Sequence, residues 1–432
     1  MTTCAASPPD APRLAIDRSV NAEVYVLYLR ARDLETHQSM DDYRSARDLY
    51  LQATQLDPRF ALAHARLGLV LSVLAKSPEE KAAARTEVER ALSLEPHLGE
   101  AHFVLAEGFQ AAGDNGSATH EIDEALRDAP DDSQIVYLAA SLHRRQGKWD
   151  QSLAEFRKAL SLDPRNLNAP TDLAYHLSQM RDWPAAVQAW DRALAIAPEW
   201  MFNKICRAYL DFWARGDLAR ANALLENVPV NYQGLFAEFL QWMRWDVSLI
   251  ERNPAAAEEA IAAMTSDPLV YGYPPPTPKS YFRGCAALVR GDRDAAHAEF
   301  EQARAVWEAE LLAQPKNARL HAQLGLLYAF MGRKEDALRE GERASEIMPV
   351  KEDAFDGTGV QTTLALIYAQ VGEAARSVAL LRHLLAVPGA LNYDTSITLN
   401  DLRQRWQWDP LRENAEFKAL VASHEAFTPP SR

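Results

Sequence analysis

Small, large and proline residues recur at fixed positions in three consecutive stretches, residues 99–132, 133–166 and 167–200. Aligned without gaps, the stretches carry small side chains at positions 8, 20 and 27, a large apolar one at position 24 and proline at position 32. In that order of positions, the residues are Ala106, Ala140 and Ala174; Ala118, Ser152 and Ala186; Ala125, Ala159 and Ala193; Ile122, Phe156 and Trp190; and Pro130, Pro164 and Pro198. Small residues at helical spacing let two antiparallel helices approach closely, the large residue fills the gap between them, and proline ends the second helix. The pattern therefore predicts pairs of helices joined by short turns.

This pattern resembles the tetratricopeptide repeat, a helix-turn-helix unit of the same length. The resemblance implies an all-α fold, a right-handed superhelical solenoid of antiparallel helix pairs, because no single pair buries its apolar face alone. The open end of such a solenoid needs a cover. Residues 389–432 do not follow the repeat and contain Trp406, Trp408 and Phe417, so we expect them to form a C-terminal cap.

Breaks in the pattern divide the chain further. Residues 1–20 contain three prolines and show no periodicity, which predicts a flexible leader. Residues 21–264 are expected to form an N-terminal array of about seven helix pairs, and residues 280–388 a C-terminal array of about three. Residues 265–279 are rich in proline and are expected to connect the two arrays.

Charge and cysteine content narrow the classes of partner. The formal net charge is -14, which disfavours nucleic acid and anionic membrane surfaces because both repel an acidic protein. No apolar run is long enough to span a membrane. Cys4, Cys206 and Cys285 are too few and too scattered for a disulfide framework or a zinc site. We expect a cytoplasmic protein without metal or cofactor.

The sequence shows no catalytic motif. It has no glycine-rich phosphate loop in the required strand context. His120 and Glu121 begin a zinc-binding type of helix motif, but Glu124 stands where the second histidine is needed. We therefore expect a protein that is not an enzyme.

In proteins with this repeat, the first helix of each pair lines a concave face, and positions 2, 5, 9, 12 and 13 point into it. Aromatic rings beside an arginine pair suit an extended or helical peptide with acidic character. The resemblance therefore implies a protein or peptide partner bound at this face. The predicted partner-binding residues are Phe103, Glu107, Tyr137, Arg144, Arg145, Tyr175, Gln179, Tyr209 and Trp213. The alternative is that the three tyrosines only pack between neighbouring helices.

Four segments also resemble the C-terminal repeat arrays of bacterial multidomain signalling proteins, where the repeats follow a kinase, cyclase, winged-helix or TolB-like segment. They are Tyr25–Arg32 (YVLYLRAR), Pro349–Gly357 (PVKEDAFDG), Ala365–Gly372 (ALIYAQVG) and Trp408–Phe417 (WDPLRENAEF). This resemblance implies a non-catalytic scaffold in a regulatory system, with an upstream kinase, cyclase or transcription-regulator domain as its partner.

Two other functions remain open at this stage. An enzyme, or an enzyme subunit, with its active site in the aromatic-rich residues 235–290 predicts a deep pocket with carboxylates or histidines of shifted pKa. A self-assembling structural solenoid predicts a mass that rises with concentration.

Overall fold

The computed structural model describes residues 22–35, 39–164, 166, 168–234, 236–270, 275–391 and 396–423. The predicted leader, residues 1–20, lies outside this part of the chain. The first helices are α1 (Ala22–Glu35), α2 (Met40–Leu56), α3 (Ala61–Leu74), α4 (Pro78–Leu94), α5 (Gly99–Ala111), α6 (Asn115–Asp128), α7 (Ser133–Arg145), α8 (Trp149–Leu162), α9 (Asn168–Gln179), α10 (Trp183–Ile196), α11 (Met201–Arg215), α12 (Ala219–Asn227), α13 (Ala237–Ile250) and α14 (Pro254–Ala263). They are followed by α15 (Lys279–Arg290), α16 (Arg293–Ala313), α17 (Ala318–Phe330), α18 (Lys334–Ile347), α19 (Asp356–Gln370), α20 (Ala374–Ala386), α21 (Leu399–Gln404), a 3-10 helix (Trp406–Leu411) and α22 (Ala415–Ala422). The predicted all-α fold of consecutive helix pairs is confirmed.

The small and large positions of the repeat meet inside the helix pairs, as the pattern predicts. Ala174, Ala186 and Trp190 are fully buried between α9 and α10. The indole Nε1 of Trp190 donates to the hydroxyl of Ser178 at 3.0 Å, so its one polar atom is satisfied. The small alanine side chains thus allow the two helices to approach closely, and the Trp190 indole fills the space beside them.

Short polar residues begin many of the second helices. Asp114, Asp182 and Asp292 each accept a hydrogen bond from the backbone amide three residues later, at the start of α6, α10 and α16. Each such cap satisfies an amide that has no partner within the helix and is worth about 1 kcal/mol.

The described residues form two compact units. Unit 1 is drawn from Met1–His143 and Ala154–Pro164, and unit 2 from Arg144–Leu153 and Arg165–Arg432. Both boundaries fall within the α7 to α9 region, and none falls at residues 265–279. In the described part of that proline-rich stretch, Leu269 and Thr277 exchange two backbone hydrogen bonds of 2.8 and 2.9 Å.

The C-terminal helices of unit 2 pack on earlier elements of the same unit: α21 contacts α11, the 3-10 helix contacts α19, and α22 contacts α20. A capping box begins α21, in which the side chains of Thr398 and Asp401 each accept from the other residue's backbone amide. Both side chains are fully buried. Gly216, which ends α11 with φ of 73°, lies against this helix, and a Cβ at Gly216 would collide with the side chain of Gln404.

None of the helices that the structure describes has both the length and the apolar character needed to cross a membrane.

Candidate partner-binding faces

One buried guanidinium organises the face that unit 1 builds from α1, α3 and α5. Arg66 on α3 is 1% exposed. It pairs with Glu35 of α1 at 3.3 Å and with Glu100 of α5 at 3.2 Å, and it donates to the side-chain oxygen of Gln134 on α7 at 3.0 Å. Its guanidinium carbon lies 5.7 Å from the centre of the Phe103 ring. One cation therefore links four helices. We call the face that α1, α3 and α5 form around Arg66 the unit 1 face.

Glu100 accepts two further hydrogen bonds, both from side chains of α1. The Tyr28 hydroxyl donates to it at 2.7 Å and the Arg32 guanidinium at 2.6 Å. Burial by itself would raise the pKa of Glu100, but Arg66 and Arg32 hold that pKa below its ordinary value. Burial, reinforced by the Glu100 carboxylate, raises the pKa of Tyr28. This carboxylate stays ionised and fully paired.

Glu107 on α5 is the contrasting member of the unit 1 face. Its side chain is half-buried and has no ion pair or hydrogen bond among the residues that the structure describes. Burial raises the pKa of Glu107 to about 7; the Arg66 guanidinium opposes the rise and the Glu35 carboxylate adds to it. Burial, together with the Glu35 and Glu107 carboxylates, raises the pKa of Tyr43 on α2. Glu107 thus changes charge near neutral pH and forms no ion pair within the part of the chain that the structure describes.

The other predicted residues of unit 1 lie against neighbours. Phe103 is buried beneath Arg66. Tyr137 is half-buried, and its ring meets that of Phe156 nearly edge-on, with centroids 6.0 Å apart. Tyr28, Arg32, Glu35 and Arg66 were not predicted as site residues, although the first three lie at positions 5, 9 and 12 of the first repeat and Arg66 lies at position 6 of the second.

In unit 2, the predicted arginine pair meets a later segment of the same chain. Arg145 pairs with Asp353 at 2.6 Å and with Asp356 at 2.8 Å, across more than 200 residues of sequence. Arg144 is 6% exposed, and its guanidinium carbon lies 4.6 Å from the centre of the Phe355 ring. The chain itself thus supplies the carboxylates and the ring that an acidic peptide would bring.

The predicted residues of α9 meet a segment still further along. The Tyr175 hydroxyl donates to the backbone carbonyl of Leu391 at 3.0 Å, and its ring lies 6.0 Å from that of Phe355. Gln179 is fully buried, and its backbone carbonyl accepts from the amide of Gly389 at 3.3 Å. We call residues 384–391 and 396–405 the return segment.

Arg181, which follows α9, binds the backbone carbonyls of the return segment through its side chain. This residue has a positive φ of 52° and is 3% exposed. Its guanidinium donates to the carbonyls of Leu384, Val387 and Ile397 at 3.1, 2.8 and 3.0 Å. A planar fork with five donors suits several carbonyls at once. The sequence carried no signal for this role, because Arg181 lies in the turn after the helix.

Tyr209 on α11 lies in a buried ionic network. Its hydroxyl donates to Asp246 at 2.7 Å, and Arg405 of the return segment joins Asp246 at 2.6 Å to Asp401 at 2.7 Å. Burial, together with the Asp246 carboxylate, raises the pKa of Tyr209 far above its usual range. The tyrosine therefore stays neutral and acts as a donor.

Trp213, the last predicted residue, is also fully buried. Its Nε1 donates to the hydroxyl of Ser396 at 3.1 Å, and its backbone carbonyl accepts from Asn400 at 2.9 Å. All six predicted residues of unit 2 therefore contact later parts of unit 2 or are buried among them. The periodic pattern could not reveal this, because it reports only neighbours one or two repeats apart.

The aromatic residues of the proposed enzyme region are packed in the core of unit 2. Trp242 and Trp245 on α13 are 1% and 5% exposed, and Trp245 donates to the backbone carbonyl of Phe282 at 3.2 Å. Burial raises the pKa of the Cys285 thiol, which disfavours a reactive thiolate. In the part of the chain with described coordinates, no three His, Cys, Asp or Glu side chains gather as metal ligands. The pocket in residues 235–290 stays an untested prediction.

Consecutive antiparallel helix pairs with alanine at their interfaces define a helical-repeat protein. A family model described as "Tetratricopeptide repeat" matches residues 103–166, which cover most of one helix pair and the whole of the next. Among curated proteins, none matches the sequence.

Several solved structures are similar to the chain at low identity. The human IFIT1 dimer with m7Gppp-AAAA is 16% identical, with 76% of this chain and 72% of that chain covered and a TM-score of 0.45. The Pseudomonas aeruginosa protein pilF is 18% identical over 48% of this chain and 93% of that one, with a TM-score of 0.38. YrrB, titled a TPR protein with an unusual peptide-binding site, is 20% identical over 41% and 88%, with a TM-score of 0.29. Similarity of this degree carries no information about a partner of this chain.

Proposed function

We propose that the protein is an interaction scaffold whose partner binds the unit 1 face through a positively charged group. The observation that carries the proposal is Glu107, a half-buried carboxyl with no cation among the described residues. The other two acidic groups of the face, Glu35 and Glu100, are already paired with Arg66. The face therefore has one acidic position left to fill.

The contacts of unit 2 favour unit 1 as the binding region. Arg145 already has two carboxylate partners, and Tyr175 and Trp213 hold the return segment. An external peptide would have to replace these contacts before it could bind. The proposal therefore changes the expected partner from an acidic peptide to one that presents a lysine, an arginine or an amino terminus.

The energetics of Glu107 support a cationic partner. An ionised carboxylate in a half-buried position has lost part of its hydration, which is why its pKa is raised. A cation placed beside it restores a favourable interaction, because a guanidinium or ammonium group can form a charge-assisted hydrogen bond with the carboxylate. Binding of the cation and ionisation of Glu107 are then coupled.

A peptide selection on the intact chain tests the proposal. A phage-displayed library of linear peptides is selected at pH 8 on the wild-type protein, on Glu107→Gln and on Glu89→Gln. Glu89 is the matched control because it lies exposed on α4 and, among the described residues, pairs only with Arg85. We expect lysine- and arginine-bearing peptides to be enriched on the wild type and on Glu89→Gln, and at least tenfold less on Glu107→Gln. Equal enrichment on all three proteins, or enrichment of acidic peptides, contradicts the proposal.

We also propose that the scaffold is a cytoplasmic regulatory module of a bacterial signalling system. Support comes from the four segments that resemble the C-terminal arrays of such proteins, among them Pro349–Gly357. The partner would then be a kinase, cyclase or transcription-regulator domain that presents a basic segment to the unit 1 face. Titration of such purified domains against the wild type and Glu107→Gln tests this: binding that ignores the substitution contradicts it.

A further inference from the structure

Three histidines at position 4 of their repeats make the same two contacts. In each, Nδ1 meets a glutamate on the second helix of the pair, and Nε2 meets the backbone carbonyl of the proline that precedes the pair. For His64 these partners are Glu87 at 2.6 Å and Pro58 at 3.2 Å, for His102 they are Glu121 at 2.7 Å and Pro96 at 3.2 Å, and for His321 they are Glu340 at 2.7 Å and Pro315 at 3.1 Å. The first two lie in unit 1 and the third in unit 2. Each ring therefore joins its own helix to the next helix and to the preceding turn.

The hydrogen-bond chemistry of these rings specifies their charge. A backbone carbonyl and an ionised carboxylate can only accept hydrogen bonds. A neutral imidazole carries one N–H and can satisfy only one of the two acceptors, whereas the imidazolium carries two. We propose that His64, His102 and His321 are held as imidazolium cations that clamp successive helix pairs, and that loss of the second proton opens the clamp.

The charges around each ring act in opposite directions. The ring lies in the first turn or so of its own helix, where the helix dipole disfavours a cation. The glutamate offsets this, because its charge-assisted hydrogen bond is short and the pair is mostly shielded from water, with histidine side chains 10 to 13% exposed. Near His102, Asp128 accepts from the amide of Gly99 and adds negative charge to the same helix end. In the His321 clamp, Glu340 also pairs with Arg339 at 3.0 Å.

A fourth repeat makes a related contact with a different cation. The repeat that begins at residue 133 has Val136 at position 4 and no histidine there. In its place, Lys158 on α8 donates to the carbonyl of Pro130 at 2.7 Å and pairs with Asp131 at 2.9 Å. A cation therefore donates a hydrogen bond to the proline carbonyl at the repeat boundary here as well. Because lysine keeps its charge far above neutral pH, this clamp is the internal control.

Ring-nitrogen NMR of the 15N-labelled intact chain between pH 5 and 9 tests the charge state. His97, His120, His297 and His383 are exposed and serve as references in the same sample. We expect the three clamp rings to keep N–H protons on both Nδ1 and Nε2 in preference to the references. Glu87→Gln should remove this preference from His64 alone, whereas Glu89→Gln should leave it. Clamp rings that lose the proton together with the references, or a His64 ring that ignores Glu87→Gln, overturn the proposal.

Amide hydrogen exchange tests whether deprotonation opens the clamp. After correction for the intrinsic pH dependence of exchange, we expect the first turns of α3 and α5 to lose about tenfold in protection between pH 6 and pH 8.5. The first turn of α7, which follows the lysine clamp, should keep its protection. A uniform change across all three helices, or no change in any, shows that the histidines do not control the opening.

Discussion

At the scale of single residues, Arg145 shows how a predicted binding residue serves the fold. Its side chain is 17% exposed and lies between the carboxylates of Asp353 and Asp356, of which the second also pairs with Arg319. Removing one partner of such a pair leaves charge buried without compensation, which costs more than the pair itself is worth. The residue type and the position fit a peptide site equally well, so the sequence could not separate the two roles.

We predict that Arg145→Glu destabilises unit 2 by about 3–5 kcal/mol, because it adds a third negative charge to a buried acidic pair. Arg343→Glu is the matched control, because Arg343 is exposed on α18 and pairs with Glu346 alone among the residues with described positions. This substitution should change the unfolding free energy by less than about 1 kcal/mol. Urea unfolding followed by circular dichroism compares them. Similar midpoints for both variants would show that the buried pair contributes nothing.

The ionisation of Glu107 predicts a pH-dependent stability with a definite sign. Its pKa in the folded chain, about 7, lies above its ordinary value of 4.5, so the folded state binds more protons between these values. The stabilising contribution is complete below about pH 4.5 and is lost as the pH rises through 7. Glu107→Gln should therefore be more stable than the wild type by about 1–3 kcal/mol at pH 8 and equal to it at pH 4. Urea unfolding at both values, with Glu89→Gln as control, measures the difference; a gap that does not change with pH contradicts it.

The same ionisation predicts how a cationic ligand binds. Between pH 6 and 8, the affinity of a selected lysine-bearing peptide for the wild type should rise about tenfold, because the charged fraction of Glu107 rises by that factor. Fluorescence polarisation with the labelled peptide measures it, and the acetyl-lysine version of the peptide is the control. A flat profile for the wild type, or a rising one for Glu107→Gln, would place the ligand elsewhere.

At the scale of the helix pair, close approach is set by the smallest residues. Gly68 on α3 faces α4 so closely that a Cβ there would lie 2.9 Å from the carbonyl oxygen of Ala84 and would collide with the Val88 side chain. Gly108 on α5 has nothing within 4 Å of the same position. Two glycines with the same helical preference therefore stand in opposite packing environments.

We predict that Gly68→Ala destabilises unit 1 by about 1–3 kcal/mol, because overpacking outweighs the gain in helix propensity. Gly108→Ala should stabilise it by about 0.5–1 kcal/mol, since only propensity changes there. Thermal unfolding of the two variants beside the wild type gives the comparison. An increase in stability for both would show that α3 and α4 have room to separate.

Helix pairs were predictable from the sequence because their determinants are local. Ala174, Ala186 and Trp190 lie within one repeat, and the close packing they predict is present. The unit 1 face was only partly predictable. Phe103 and Glu107 were identified, whereas Arg66 was missed because its partners on α1 and α5 are more than 30 residues away in opposite directions.

At the scale of the whole molecule, the contacts of the return segment could not be predicted. Its hydrogen bonds to Arg181 join residues more than 200 positions apart, and three of the acceptors are backbone carbonyls that leave no trace in residue type. Electrostatic and main-chain contacts at such separations follow from tertiary structure and not from periodicity. The identity of the partner is equally absent from the pattern, because the small and large apolar positions of the repeat are buried.

The contacts between α11 and α21 predict that the two helices open together. Asn400 and Gln404 on α21 donate to the backbone carbonyls of Trp213 and Gly216 at the end of α11. Native-state hydrogen exchange of the intact chain should therefore give amides of α21 and of the second half of α11 the same free energy of opening. Exchange of α21 at a much lower free energy would identify it as an independently mobile helix.

The sequence separation within unit 2 has a consequence for synthesis. Arg145 and Arg181 leave the ribosome about 200 residues before the groups that cover them. At translation rates of roughly 5–20 residues per second, these buried cations and the aromatic side chains of α9 and α11 stay uncovered for roughly 10–40 s. During that interval the nascent chain presents a surface that any acidic or apolar segment nearby can occupy. Unit 2 can therefore complete the contacts of Arg181 only after Ile397 has left the ribosome.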